Sequence, residues 1–287
     1  MVKVAFIGLG EAGTAFAPAN TPSRGYDLKL DEAATRAAKL ADFAAAGVAP
    51  ADSNAAAVAD TPLILSLVTA DQALAAAEAT ARSIAAGALY CDMNSVAPDT
   101  KRAAAALIEA AGGRYADVAV MAPVNPARHA TPLLVSGPHT ADAAAALRSI
   151  GFMKVEPVEG PVGAASAIKM IRSVMVKGIE ALSAECFLAA HAAGVSDAVI
   201  ASLDASWPGA DWRQRADYNL DRMLIHGLRR AAEMEEVVKT LDALGTGSAM
   251  TRGTVERQRA IGARRLPSPD GLEAKAALIL AQKADAA

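Results

Sequence analysis

The first thirteen residues constrain this chain more than any other stretch. "VKVAFIG" has the composition of a buried strand, and it runs straight into "GLGEAG", which sets Gly8, Gly10 and Gly13 in G-x-G-x-x-G spacing. A helix opens at about Glu11. Gly8 permits a tight turn, Gly10 lets the backbone approach a pyrophosphate, and Gly13 lets helix and strand pack closely. Leu9, Glu11 and Ala12 complete the turn as candidate cofactor contacts. Glycine spacing alone is weak evidence. Here the strand, the helix and a second expected strand, "DLKLD", supply the required context. That strand ends in Asp31, eighteen residues past Gly13. Asp31 is placed to accept hydrogen bonds from a ribose 2′-OH, and its charge repels a 2′-phosphate. NAD is therefore slightly favoured over NADP, although Arg36 is also in reach of an adenosine phosphate. Pro18 and Pro22 fall where the first helix would continue, so it is expected to be short or broken.

The alternation continues. After "DLKLD" come a helix through "EAATRAAKLADFAAAG", the strand "LILSLV", a helix through "DQALAAAEATARSIAAG", the strand "LYCDMN", and a helix from Pro98 to about Ala111. Strands alternating with helices of this length imply a parallel sheet with right-handed crossovers. "YADVAV", "PLLVSG" and "FMKVEPV" extend it, and the strand pattern stops after "EGPVGAAS". One long helical run follows from about Ala165 to Ala193, with apolar positions at 168, 171, 175, 179 and 182 and Gly194 as its stop. The expected fold is a doubly wound α/β Rossmann-type domain over residues 1–162, then an all-α domain over 163–287 on a long connecting helix. "LPSPDG" links to a terminal helix that either docks on a partner subunit or is solvated.

Ligands of open α/β sheets bind outside the carboxyl ends of the strands. Leu67, Val68 and Thr69 end one strand beside the dinucleotide path, and Asn94 and Ser95 end another. "MAPVNPARH" follows "YADVAV" at a third end, crowding two prolines, Asn125, Arg128 and His129 into nine residues. On the long helix, Lys169, Arg172 and Ser173 interrupt a lining of Ile, Met and Val, and Lys169 and Ser173 share a face. A lysine half-buried against apolar residues near a positive nicotinamide ring has a lowered pKa and is suited to general acid/base work. Further on, "HGLRRAAEMEEV" sets His226, Arg229 or Arg230, and Glu233 on one helix face. Turn, cap and surface ion-pair roles compete with function at each of these polar residues.

Taken together, "FIGLGEAG", "DMNSVAP", "YADVAV" and "GAASAIKMIRS" resemble the β-hydroxyacid dehydrogenases, the superfamily of 3-hydroxyisobutyrate and 6-phosphogluconate dehydrogenases, over most of the chain. The resemblance implies hydride transfer between NAD or NADP and a small hydroxy or keto acid bound between the two domains. It makes Lys169 the catalytic lysine and Ser95 a substrate or nicotinamide contact, and it sets Ser173 where the family usually has a substrate-binding Asn. It also implies a homodimer. Two departures stand out. Where the family has Ser-Gly-Gly, whose N–H groups hold the substrate carboxylate, this chain has Met121-Ala122-Pro123, and proline has no N–H. Asn125, Arg128 and His129 are candidates to replace those donors. In the second domain the family's Lys-Asp pair is replaced, with Glu233 at or near the Asp and Ala232 for the Lys. His226 is a candidate substrate contact and Arg230 a candidate for its anionic group. These departures mark a branch with a variant, mostly uncharacterised C-terminal domain. They keep two alternatives open, an imine reductase and a catalytically silent dinucleotide sensor.

Composition bounds the partners. A net charge of −3 gives no footprint for nucleic acid. No apolar run is long enough to span a bilayer. Cys91 and Cys186 lie far apart without metal-ligand spacing, so a cytoplasmic protein without a metal site is expected. Lys3, inside the first strand, argues against a signal peptide.

Overall fold

The structure, a computed structural model, describes residues 4–281. Val2 and Lys3, expected in the first strand, lie outside the described residues. The chain divides into two compact units, Met1–Met170 and Ile171–Ala287. The first unit alternates from its start: β1 (Val4–Ile7), α1 (Glu11–Ala15), β2 (Ser23–Tyr26), α2 (Ala33–Ala46), β3 (Ala49–Pro50), α3 (Asn54–Val58) and β4 (Leu63–Ser66). There follow α4 (Ala73–Ala81), β5 (Leu89–Asp92), α5 (Pro98–Ala110), β6 (Arg114–Val120), β7 (Leu133–Ser136), α6 (Thr140–Ser149) and β8 (Val155–Pro157). The long helix α7 (Ala164–Ala192) then leads to α8 (Ser196–Ser206), α9 (Trp212–Ala243), α10 (Ala249–Gly262) and α11 (Leu272–Ala281). The division into units falls inside α7.

All eight strands form one sheet in the order β3-β2-β1-β4-β5-β6-β7-β8. Neighbours are parallel from β3 through β6, and β7 runs antiparallel to β6. Both faces are covered. Val4 and Phe6 point into one apolar cluster with Phe16, Phe43, Val118 and Phe152. Ala5 and Ile7, their alternates, point into another with Ile64, Tyr90, Ile108 and Tyr115. This explains why the strands read as continuous apolar runs instead of alternating ones.

Two expected elements change. "DLKLD" is not a strand; β2 is "SRGY", and residues 28–30 form a single 3-10 turn capped by Asp27, whose carboxylate accepts from Lys29 N–H at 3.0 Å. Gly25 explains why so polar a segment pairs with β1: a Cβ there would lie 2.9 Å from the Phe6 carbonyl oxygen. Close approach, not strand propensity, fixes this pairing. The terminal helix α11 is not a solvated tail but packs on its own unit. Leu272, Ala276 and Ile279 are buried in the core of the second unit, and Lys275 Nζ pairs with Asp217 of α9 at 2.6 Å.

The second unit is built on α9. Its core joins Ala184, Phe187 and Leu188 of α7 to Leu220, Met223 and Leu224 of α9 and Ile261 of α10. At Gly227 and Gly262 the backbones of α9 and α10 meet. The burial of α7 reverses its expected pattern. Ile168, Ile171, Met175 and Leu182 are 43–65% exposed, while Ser173, Lys177 and Glu180 are buried. The apolar stripe read from the sequence is therefore the outer face within this chain, because polar partners on α9 and α10 hold the other.

Candidate functional site

Gly8 adopts φ +86, and a Cβ there would lie 2.6 Å from the Leu67 carbonyl oxygen. Gly13 is equally confined, its Cβ position being 2.8 Å from the Gly8 oxygen. Gly10 differs: nothing lies within 4 Å of its Cβ position. It opens onto a cleft of about 440 Å³ lined by Gly10, Glu11, Thr14, Ala15, Lys29, Lys39, Asp42, Asn125 and Arg128. Two glycines thus shape the turn and the third leaves room above it, which is what a pyrophosphate at this loop requires. Gly8→Ala should strain the backbone and push on Leu67. We expect NADH affinity to fall about tenfold or more, about 1.4 kcal/mol, in a fluorescence titration; unchanged affinity would remove the turn from the site.

The turn is held by two side chains that sequence reading passed over. Asp27 Oδ2 accepts the Leu9 N–H at 2.9 Å, and the buried Lys39 donates to the Leu9 carbonyl at 3.0 Å while pairing with Asp42 at 2.7 Å. Asp27 directly follows β2 and stands nineteen residues after Gly8. That is the place of the acid that meets a ribose hydroxyl, about twenty residues on. Asp31, assigned this role from the sequence, lies beyond the 3-10 turn, and its carboxylate accepts from the Tyr26 hydroxyl. Burial, then the Asp31 hydrogen bond and charge, push the Tyr26 phenol up to about 12. The strand expected over residues 27–31 ends instead at Tyr26, so Asp27 and not Asp31 directly follows it. Arg36 donates to the Leu30 carbonyl at 2.5 Å, bracing the same turn.

At the end of β4, Leu67 N–H donates to the Ile7 carbonyl at 2.8 Å and Val68 N–H to Asn94 Oδ1 at 2.7 Å, with Thr69 exposed beyond them. Asn94 is only 4% exposed and also donates to Ser66 Oγ at 3.0 Å. Its side chain fastens the ends of β4 and β5 together. Ser95, next in the chain, has a buried Oγ with no protein partner. A buried hydroxyl without a partner is costly and calls for explanation.

Asp92, at the end of the strand that Ser95 follows, belongs to a charged node in which Asp92, Lys101 and Asp117 are all 0% exposed. Lys101 Nζ donates to the Asp92 carbonyl at 2.6 Å, to Asp92 Oδ1 at 2.9 Å, and lies 3.4 Å from Asp117 Oδ1. Tyr115 donates to Asp92 Oδ2 at 2.7 Å. Asp117 accepts from Ser136 Oγ at 3.2 Å, from the Gly163 and Ser166 N–H groups at 3.1 and 3.0 Å, and from Ser166 Oγ at 2.5 Å. It thereby caps the first turn of α7. Lys169 is one turn further on and half-buried.

The "MAPVNPARH" segment leaves the end of β6. Met121 is half-buried and its N–H is spent on the Pro132 carbonyl at 2.9 Å. Asn125 is exposed at the cleft above Gly10, as is Arg128, whose φ of +48 is left-handed. His129, a candidate substrate donor, is half-buried, and its Nε2 is buried without a protein partner. Its ring packs 4.9 Å from Phe152 and 6.4 Å from Phe16, and burial lowers its pKa.

In the second unit Arg172 is exposed and Ser173 is 6% exposed. His226 is half-buried on α9. Arg230, a candidate for a substrate anion, is committed elsewhere: its guanidinium holds both Glu180 oxygens at 2.7 and 2.8 Å, and Gln258 Nε2 completes the pair at 2.9 Å. Burial raises the Glu180 pKa and lowers that of Arg230. Glu233 accepts from Lys177 and lies 3.9 Å from Arg229. Among the described residues no group of three His, Cys, Asp or Glu side chains is placed to hold a metal ion, and no helix is long and apolar enough to cross a membrane.

Residues 3–155 match the profile of the NAD binding domain of 6-phosphogluconate dehydrogenase, and residues 190–261 match a domain of unknown function (DUF1932). The chain belongs to this dehydrogenase family. A conserved hypothetical protein from Sinorhizobium meliloti 1021 shares 37% identity over 97% of this chain and 96% of its own, with a TM-score of 0.74. The 3-hydroxyisobutyrate dehydrogenase of Mycobacterium tuberculosis, solved with L-serine, shares the fold at 20% identity, 98% and 99% coverage and a TM-score of 0.74. A Streptomyces aurantiacus imine reductase does so at 21% identity, 97% and 99% coverage and a TM-score of 0.56. No curated protein matches the chain in sequence. Membership makes the first unit an NAD(P)-binding domain. In Met121-Ala122-Pro123 the Met121 N–H is engaged by the Pro132 carbonyl and Pro123 has no N–H.

Proposed function

We propose that the protein is an NAD(P)-dependent oxidoreductase acting on a small hydroxy or keto substrate, with Lys169 as general acid/base. One observation carries the reading. Ser95 Oγ is buried without a protein partner at the end of β5, in the same unit as the glycine turn and the half-buried Lys169. A buried hydroxyl left without a protein partner suits a substrate oxygen. The nicotinamide, when bound, supplies or accepts the hydride. Gly10 and its neighbours take the pyrophosphate, and Asp27 accepts from the adenosine ribose, which favours NAD over NADP. Ser95 donates to the substrate oxygen, and Lys169 Nζ returns a proton to it in reduction or takes one in oxidation. Further parts of the reading are a reduced cytoplasmic setting for Cys91 and Cys186 and pairing with a second copy through exposed Ile171, Met175 and Leu182.

The altered cradle favours a second reading, reduction of an imine, because such a substrate needs no carboxylate holder. Titration with NADH and NADPH, then turnover on a panel of hydroxy acids, ketones and imines, separates the cases. We expect NADH to bind more tightly, and Lys169→Ala to lower turnover about 10²- to 10⁴-fold with the NADH affinity kept. Near-normal turnover in that variant would end the acid/base assignment. Cofactor binding without turnover in the folded wild type would identify a sensor.

A further inference from the structure

We propose that the buried Asp92–Lys101–Asp117 node is the positioning device for Lys169 and Ser95. The proposal rests on the roles given to those two residues above. Lys101 joins two segments that are distant in sequence. On one side it holds the carbonyl and carboxylate of Asp92, from which the Asn94–Ser95 loop departs. On the other it neutralises Asp117, whose carboxylate gathers the Gly163 and Ser166 N–H groups and the Ser166 hydroxyl. Ser166, 2% exposed, precedes Lys169 by three residues on α7. Residues three apart lie on one helix face, so what fixes Ser166 in place fixes the turn that carries Lys169.

The loop before α7 is confined as well. Gly163 has φ +100, and a Cβ there would meet Arg102 Nη1 at 2.8 Å and Pro98 Cβ at 3.0 Å. The entry to α7 therefore rests on the first turn of α5, the helix that contributes Lys101. Three fully buried charges are an expensive way to stabilise a fold, since apolar residues of similar volume often serve better. What they give is direction: an ionic node with five donors around one carboxylate admits few geometries. Catalytic groups need that, because a misplacement of about 1 Å costs on the order of a hundredfold in rate.

The test reads the placement of Lys169 without needing its substrate. The full-length chain is labelled with trace acetic anhydride at one pH. Mass spectrometry then gives the modification of Lys169 relative to Lys239, whose side chain is 63% exposed. Ser166→Ala removes one hydroxyl from the node and leaves every backbone donor. We expect it to raise the Lys169/Lys239 ratio about threefold or more, as the first turn of α7 loosens. Val48→Ala, a core variant after α2 and away from the node, controls for general destabilisation and should leave the ratio unchanged. Asp117→Asn should raise the ratio further; if it does not fold, Ser166→Ala decides alone. An unchanged ratio in Ser166→Ala, or an equal rise in Val48→Ala, overturns the proposal and leaves the node purely structural. The two readings fail separately. A dead Lys169→Ala with a normal ratio in Ser166→Ala refutes positioning only. A shifted ratio with an active Lys169→Ala refutes the acid/base role only.

Discussion

Gly262→Ala should lower the stability of the helical unit by about 3 kcal/mol, read as a fall in the denaturant midpoint of the α9–α10 region. Alanine is intrinsically better than glycine inside a helix by about 1 kcal/mol, so propensity alone predicts a gain. Contact reverses the sign. A Cβ at Gly262 would lie 2.5 Å from the Leu228 nitrogen and 2.7 Å from two Gly227 backbone atoms. Backbone cannot rotate aside as a side chain can, so the two helices must separate along their crossing. Gly227→Ala meets the Gln258 oxygen at 2.6 Å and the Gly262 Cα at 2.8 Å, and should cost a similar amount. The double variant should cost clearly less than the sum, because one separation admits both methyl groups. Additive losses, or a stabilised single variant, would show that the crossing is looser than this geometry.

Lys101→Met is expected to be the most damaging single change in the first unit, at about 3–5 kcal/mol. Methionine fills most of the same volume, so the loss is electrostatic. Asp92 and Asp117, both fully buried, would be left with no cation between them. Lys101→Met/Asp117→Asn should recover part of the loss by removing one of the two charges, even though the cap of α7 is weakened. A Lys101→Met protein as stable as wild type would mean that the node carries little energy. A double variant less stable than Lys101→Met would mean that the Asp117 cap outweighs the charge balance.

Local periodicity and glycine chemistry made much of the fold legible. The turn at Gly8, Gly10 and Gly13, the strands of the parallel sheet and the long helix stopped by Gly194 follow from residues close in sequence. Other features depended on distant partners. β2 was misplaced because "SRGY" has little strand character and is recruited by the close approach of Gly25 to Phe6. The apolar stripe of α7 reads as a core face, yet Ser173, Lys177 and Glu180 turn inward because Arg230, Gln258 and Glu233 await two of them. At the candidate site, the sequence pointed to residues at the strand ends. It did not point to the groups that hold them, Asp27, Lys39, Asp92, Lys101 and Asp117. A lone Lys101 in "PDTKRAAAALIEA" looks like any solvated helix lysine until the strands on either side supply its carboxylates. Arg230 and His129, named as candidate substrate contacts, have neighbours that the sequence did not reveal: Glu180 for the first, Phe16 and Phe152 for the second.

The bond from Leu9 N–H to Asp27 also bears on redesign. Cofactor preference in such domains is commonly treated as a dial set by the acid after the second strand. Here that carboxylate is also a tether of the loop above which the cofactor would lie. Exchanging Asp27 for a small or basic residue to admit a 2′-phosphate would release the loop in the same stroke. With the cofactor role proposed for Asp27, preference and loop order cannot be tuned separately in this chain. An engineer would need to supply a new acceptor for Leu9 before changing the charge.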